Sequence, residues 1–441
     1  MKLNATYIKI RDKWWGLPLF LPSLILPIFA HINTFAHISS GEVFLFYLPL
    51  ALMISMMMFF SWAALPGIAL GIFVRKYAEL GFYETLSLTA NFIIIIILCW
   101  GGYRVFTPRR NNVSHGDSRL ISQRLFWQIV FPATLFLILF QFAAFVGLLA
   151  SRENLVGVMP FNLGTLINYQ ALLVGNLIGV PLCYFIIRVV RNPFYLRSYY
   201  SQLKQQVDAK VTKKEFAIWL LALGALLLLL CMPLNEKSTI FSTNYTLSLL
   251  LPLMMWGAMR YGYKLISLLW AVVLMISIHS YQNYIPIYPG YTTQLTITSS
   301  SYLVFSFIVN YMAVLATRQR AVVRRIQRLA YVDPVVHLPN VRALNRALRD
   351  APWSALCYLR IPGMEMLVKN YGIMLRIQYK QKLSHWLSPL LEPGEDVYQL
   401  SGNDLALRLN TESHQERITA LDSHLKQFRF FWDGMPMQPQ I

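Results

Sequence analysis

Charge is what this sequence has least of. Only 13% of its 441 residues are Asp, Glu, Lys or Arg, about half the ~25% usual in soluble globular domains. With 56% hydrophobic residues and a mean hydropathy of +0.46, the shortage excludes a wholly soluble chain, and equally a disordered or collagen-like one. Cysteine is scarce too. Cys99, Cys183, Cys231 and Cys357 sit in apolar runs without metal-ligand spacing. That excludes a disulfide framework, and a reducing or lipid-buried setting suits them as small core residues. Acidic residues are outnumbered, 20 against 39 Lys and Arg, for a net charge of +19. Such an excess points either to nucleic acid or to basic loops on the inner face of a membrane. Where the cations sit decides between the two.

Long apolar runs are abundant. A bilayer-spanning helix needs roughly 17–25 predominantly apolar residues, and about ten runs qualify as candidates. They are Trp14–Ile32, Val43–Phe60, Ser61–Phe73, Glu84–Val105, Leu125–Ala150, Ile167–Val190, Glu215–Pro233, Tyr245–Ala258, Lys264–Ser280 and Ser300–Thr317. The third is short and interrupted by Pro66, Gly67 and Gly71, which predicts a broken or re-entrant segment. With the N-terminus (Lys2, Lys9, Arg11, Lys13) cytoplasmic, ten crossings place three further basic loops on the same side. These hold Arg109, Arg110, Arg119 and Arg124; Arg191, Arg197, Lys204, Lys210, Lys213 and Lys214; and Arg260 and Lys264. The opposite loops carry little beyond Arg152 and Lys237, and Arg75 and Lys76 alone fall on the wrong side. The asymmetry accounts for much of the net charge, so nucleic acid is not expected as a partner. The first run is too long for a signal-peptide core and lacks a small-x-small cleavage site, so it reads as an anchor.

The spans hold almost no ionisable residue, which tells against proton- or ion-coupled transport. Their mild polarity is carried by Gln128, Gln141, Asn176, Asn310 and His279. Two readings stand: helix–helix hydrogen bonds, or a pocket for an unidentified small ligand. Trp14, Trp15, Trp100, Trp127 and Trp219 lie near span ends, where an interfacial belt is expected.

At Thr317 the composition changes. Arg318, Arg320, Arg324, Arg325 and Arg328 alternate with Val322, Val323, Ile326 and Leu329, the pattern of an amphipathic helix leaving the membrane. It is either a transmitting element or a stop-transfer flank. Beyond it, Arg342–Leu348 reads as helix, Ala355–Ile361 as buried strand and Leu375–Leu391 as helix. Asp396–Leu400 and Leu405–Leu409 read as a hairpin around Ser401–Gly402–Asn403, and Glu412–Phe428 as a last helix. His337 and His385 are lone histidines, expected to be surface or packing residues.

The segment YVDPVVHLPNVRAL (Tyr331–Leu344) resembles the opening of a GGDEF domain, D-x-L-T-G-L-x-N-R-R. Asp333, Leu338, Asn340 and Arg342 match it, whereas Val336, His337 and Val341 replace Thr, Gly and Arg. YQLSGNDLALRL (Tyr398–Leu409) stands where that family has R-L-G-G-D-E-F-A. The resemblance implies a fold whose active members join two GTP molecules into cyclic di-GMP with two carboxylate-held Mg²⁺ ions. Aligning the stretch Leu359–Gly372, read as a strand, with L-D-x-D-x-F-K-x-x-N-D-x-x-G puts Arg360 at a metal-binding Asp. Val368 falls at the guanine-reading Asn and Ile377 at the guanine-reading Asp. The signature turn Ser401, Gly402, Asn403, Asp404 and Leu405 keeps one carboxylate, and the inhibitory R-x-x-D motif is replaced by Glu392–Glu395. The resemblance therefore implies a degenerate domain with no catalytic residue, no metal and no cofactor of its own.

LPGIALG (Leu65–Gly71) and VGNLIGVPL (Val174–Leu182) are similar to segments of the MASE-type sensor domains that precede GGDEF modules. The expected architecture is a multi-pass α-helical membrane protein of about ten transmembrane helices followed by a C-terminally truncated cytoplasmic α/β domain. Its parts are a sensor over residues 1–317, a linker helix over 318–331 and a degenerate GGDEF-like domain over 332–441. A complete domain of that family carries a further core strand where Met435–Ile441 lies, and a truncation is expected on that ground. The whole resembles enterobacterial membrane-bound GGDEF–EAL phosphodiesterases, in which a separate EAL domain hydrolyses cyclic di-GMP to pGpG with Mg²⁺. The resemblance implies that this EAL domain and its Glu-x-Leu metal site lie outside these residues. The resemblance implies as partners the inner-membrane bilayer, a second copy in a homodimer, and other GGDEF or EAL proteins. A stand-alone interaction protein and a small-solute transporter are the competing expectations.

Overall fold

The computed structural model describes residues 11–107, 120–149, 161–233, 244–285, 287, 289–351, 353–410 and 415–437. Lys2, Lys9, Arg109, Arg110, Arg119, Arg152 and Lys237, on which the orientation argument drew, lie outside them, as do residues 438–441 of the expected final strand. The chain divides into two compact units, Met1–Arg320 and Ala321–Ile441.

The first unit is helical because its apolar runs leave backbone polar groups that only an internal ladder can satisfy in lipid. After α1 (Leu17–Ile32) comes an antiparallel hairpin of β1 (Thr34–Ile38) and β2 (Gly41–Phe46). Then follow α2 (Pro49–Phe60), α3 (Leu65–Leu80), α4 (Phe82–Phe106), α5 (Ile121–Phe145) and α6 (Leu163–Arg191). The series continues with α7 (Tyr195–Gln206), α8 (Lys213–Cys231), α9 (Asn244–Tyr261), α10 (Tyr263–His279) and α11 (Tyr291–Tyr331). α5 contains a π-helical stretch, Leu125–Val130.

Among the described residues, 6 stretches are long and apolar enough to cross a membrane: Pro49–Leu80, Phe82–Phe106, Ile121–Phe145, Leu163–Arg191, Lys213–Cys231 and Tyr291–Tyr331. This is fewer than the ten runs expected. The second and third runs join in Pro49–Leu80, separated only by a 3-10 turn at Ser61–Ala64 where Ser61 has φ 53°. Leu17–Ile32 and Tyr263–His279 are shorter apolar helices, and Asn244–Tyr261 is diluted by polar residues at its ends. The expected helix from Val43 is also corrected, since Val43–Phe46 pairs as strand β2.

α2 is buried on every side, as a helix apolar all round should be. Two glycines let neighbours come close. A Cβ on Gly175 of α6 would lie 1.9 Å from the Tyr47 carbonyl oxygen, and one on Gly67 of α3 would lie 2.0 Å from that of Pro18. The two motifs that resemble sensor domains are thus packing seams, Gly67 against α1 and Gly175 against the link between β2 and α2. Asn168 of α6 accepts from the Phe44 backbone N–H at 2.7 Å, and Asn33 from that of Leu48 at 2.9 Å, which fixes the hairpin to the bundle. Phe20, Leu24 and Ile28 of α1 point outward at one-turn spacing, as lipid contact requires. Trp100 and Trp219 correct the belt expectation. Both are buried, and their indole N–H groups donate to Ser61 Oγ and the Leu253 carbonyl.

The second unit is α/β. After α12 (Val341–Asp350) and β3 (Ala355–Leu359) come α13 (Met364–Tyr371), α14 (Ile373–Leu387), β4 (Asp396–Gln399), β5 (Leu405–Leu409) and α15 (Gln415–Lys426). A short antiparallel hairpin, β6 (Phe430–Trp432) and β7 (Met435–Met437), follows. The sheet order is β3-β5-β4, antiparallel throughout, so β5 is central and each of its residues is buried. One face packs Leu359, Met364, Leu375, Tyr379, Leu383 and Phe430 into a core, and on the other Leu344 of α12 meets Tyr398 and Ala406. The stretch read as a strand from Leu359 to Gly372 is mostly helix α13, bounded by Gly363 and by Gly372 with φ 87°.

Candidate functional site

The signature turn joins β4 to β5. Gln399 pairs with Leu405, and on the other edge Leu359 pairs with Leu405 as well, so Arg360 leaves β3 beside Asp404. Arg360 is exposed. Asp404 Oδ2 accepts a hydrogen bond from the Tyr358 hydroxyl, and Asn403 Oδ1 accepts from Arg376 Nη1 at 3.5 Å. Beneath the turn lies Lys380 of α14, which is completely buried. Its Nζ donates to the Gly402 carbonyl at 2.7 Å and to Gln399 Oε1 at 3.1 Å. Burial, with Arg376 nearby, pushes the Lys380 ammonium down to about 8. Val368 and Ile377 are half-buried on α13 and α14, and Val368 packs against the core.

The turn is therefore a cationic corner built around one carboxylate. A divalent cation needs several hard oxygen ligands with net negative charge, and Arg360, Arg376 and Lys380 supply the opposite. Asp404 is already a hydrogen-bond acceptor, and no group of three His, Cys, Asp or Glu able to hold a metal occurs among the described residues. These side chains do not fit Mg²⁺. Reading the sequence singled out Arg360, Val368, Ile377 and the turn. It missed Tyr358, Arg376 and Lys380, although the last two stand four residues apart on one helix, the spacing that brings side chains to one face.

Two neighbouring motifs have structural work. Asp333 Oδ1 accepts from the N–H groups of Val335 and Val336 at 2.9 Å, and Asn340 caps α12 by accepting from Arg342 and Ala343 at 3.0 and 3.1 Å. Between them His337 has φ 59°, the left-handed region that suits the family's Gly. Glu395, in the segment Glu392–Glu395, has a fully buried side chain paired bidentately with Arg417 at 2.8 and 2.6 Å. Burial opposes its charge, but the N–H groups of Asn410 and Glu392 and the Arg417 guanidinium together hold its carboxyl below the usual range. His337 and His385 line one open cleft of about 660 Å³ with Glu392, Glu395 and Asp396.

In the first unit Gln128, Asn176 and Asn310 meet around one cavity, and Arg124 joins them. Gln141 lies apart from that cavity, and His279 is exposed at the end of α10. A larger cavity of about 310 Å³ at the hairpin end brings together Asn33, Glu42, Arg75 and Lys76.

The chain is similar to three known proteins at different depths. It is 99% identical over 441 residues to the Escherichia coli (strain K12) cyclic di-GMP phosphodiesterase PdeF, covering 100% of this chain and 59% of that relative. It is 25% identical over 432 residues to the probable cyclic di-GMP phosphodiesterase PdeA of the same organism, covering 96% of this chain and 58% of the relative. The chain thus spans less than two thirds of the length of these relatives. A solved diguanylate cyclase/phosphodiesterase from Caldicellulosiruptor saccharolyticus aligns at 20% identity and a TM-score of 0.24, covering 26% of this chain and 73% of that one. The last likeness carries no argument. The profile of the MASE1 family matches residues 15–320, more than half of the chain and nearly the whole helical unit described above. The chain is a membrane protein and belongs to the MASE1 family.

Proposed function

We propose that this chain is the sensory and regulatory portion of a membrane-bound cyclic di-GMP phosphodiesterase. Hydrolysis of cyclic di-GMP to pGpG is assigned to a Mg²⁺-dependent EAL domain outside these residues, and the α/β unit relays the signal without catalysing. The observation that carries the reading is the inversion of charge at the signature turn, where Arg360, Arg376 and Lys380 surround the single carboxylate of Asp404. The activities named for the two Escherichia coli relatives agree with it. Phosphoryl transfer depends on metals that neutralise developing charge, and a cationic corner repels them.

The finer topology belongs to the same proposal: about ten crossings of the inner membrane, with the N-terminus and the α/β unit cytoplasmic. Contacts within the helical unit support one basic end. Arg11 and Arg191 share Asp12, the Tyr199 hydroxyl donates to the Lys264 carbonyl at 2.8 Å, and Arg320 donates to the Arg260 carbonyl at 2.7 Å. In this scheme residues 1–317 sense, 318–331 transmit and 332–441 relay. A homodimer is the natural carrier of the signal, because Val322, Ile326 and Leu329 form an exposed apolar stripe on the last part of α11. Other GGDEF or EAL proteins are the remaining partners proposed.

The test uses the chain extended to the full length of its relatives. Substitutions in residues 15–320 are expected to change the rate of cyclic di-GMP hydrolysis without changing the metal requirement. A hydrolysis rate indifferent to every such variant contradicts a regulatory role.

A further inference from the structure

The cavity where the polar span residues meet has a volume of about 110 Å³, room for roughly four waters at the ~30 Å³ each occupies in the liquid. Its walls come from α5, α6, α10 and α11, all within the helical unit. Most of the lining is apolar, and while Gln128 Nε2 donates to Met58 Sδ at 3.4 Å, three other polar residues in it keep unbonded atoms. Arg124 is 7% exposed, and its Nε and Nη2 have no hydrogen-bond partner; no carboxylate pairs with it among the described residues. Asn176 is fully buried with neither Nδ2 nor Oδ1 bonded. Asn310 donates from Nδ2 to the Ser306 carbonyl at 2.9 Å, but its Oδ1 is also unbonded.

Helix irregularities open the wall at this point. The π-helical stretch of α5 begins directly after Arg124 and carries Gln128 into the cavity; such stretches are frequent at functional sites. On α6, Pro181 has no N–H to give, which frees the carbonyl of Leu177 from its helical donor, and both residues line the cavity. An isolated guanidinium in a low-dielectric bundle is costly until an anion meets it.

We infer that this cavity is the binding site of a small carboxylate that also bears a hydrogen-bond donor, that is, a hydroxy- or amino-acid of a few carbons. The planar fork of Arg124 matches a carboxylate in two parallel hydrogen bonds. The free oxygens of Asn176 and Asn310 accept from the ligand's hydroxyl or ammonium, and the free amide N–H of Asn176 completes the set. The site lies in the region assigned to sensing, but the claim goes beyond that reading and does not depend on cyclic di-GMP output.

The test is thermal unfolding of the full chain in neutral-lipid nanodiscs, read by tryptophan fluorescence. Lactate and alanine are expected to raise the midpoint saturably by a few degrees. Propionate, which lacks the donor, should do so more weakly, and chloride at equal ionic strength not at all. Arg124→Gln should abolish the shift. Asn176→Asp places a carboxylate inside the cavity. It should raise the midpoint with no probe present and leave nothing for lactate to add, which keeps the test decisive if Arg124→Gln folds poorly. No saturable shift in the parent chain overturns the assignment, as does an equal shift in Arg124→Gln. An Arg124-dependent shift produced only by phosphatidylglycerol in the disc also overturns it, assigning the site to a lipid phosphate instead.

Discussion

Two polar clusters, one in each unit, are treated in opposite ways. Around Arg124 in the helical unit, buried donors and acceptors stand without partners. At the signature turn of the α/β unit Asp404, Asn403 and Lys380 are all engaged. A buried polar group left unpaired costs free energy, so it persists where something binds it or where function requires it. A group fully paired within its own fold has little left to offer a ligand. The contrast agrees with the proposal that recognition belongs to the helical unit and that the turn serves as scaffold.

The largest effect expected concerns the seam that positions Asn176. Gly175→Ala drives a Cβ to 1.9 Å from the Tyr47 carbonyl oxygen and should destabilise the helical unit by about 3 kcal/mol. Denaturant titration of the purified chain measures it. A neutral substitution would show that α6 is free to move and that the cavity is not built. Next is Glu395→Gln, which removes the bidentate partner of Arg417 and leaves it Glu392 at 3.5 Å, and should cost about 2 kcal/mol. The same pair has a pH signature. A carboxyl whose folded pKa is depressed stabilises above its ordinary value of 4.5, and that contribution is lost as pH falls below it. Acid unfolding of the parent chain should show this loss and Glu395→Gln should not.

Smaller effects test whether Asn340 and His337 serve as scaffold. Asn340→Ala removes the cap of α12 and should cost about 1 kcal/mol, seen as faster hydrogen exchange at Arg342 and Ala343. His337→Gly relieves a left-handed residue at φ 59° and should stabilise by roughly 0.5–1 kcal/mol after the entropy of glycine is counted. A destabilised variant would mean that the imidazole, not the backbone, matters at that position.

Much of this was legible in the sequence. The apolar runs declared the membrane unit, and the turn Ser401–Gly402–Asn403 declared the β4–β5 hairpin, because both signals are local in the chain. The number of crossings was less so: hydropathy does not tell whether Val43–Phe46 joins a helix or pairs with β1, and it does not weigh a short helix such as Leu17–Ile32. Trp100 and Trp219 misled for a related reason, since position near a span end says nothing of which face a ring occupies. At the turn, the loss of acidic residues could be read directly, whereas the burial of Lys380 beneath Gly402 depends on how α14 crosses the sheet. The meeting of Arg124 with Asn176 and Asn310 was hidden for the same reason. The three lie on different helices, and Arg124 read as a loop cation until the helix was seen to begin before it.

The most direct measurement is incubation of the purified chain with GTP and Mg²⁺, with the nucleotides resolved by mass spectrometry. A corner of three cations and one engaged carboxylate predicts no cyclic di-GMP at any Mg²⁺ concentration. Mg²⁺-dependent dinucleotide formation that disappears in Asp404→Asn would contradict the account.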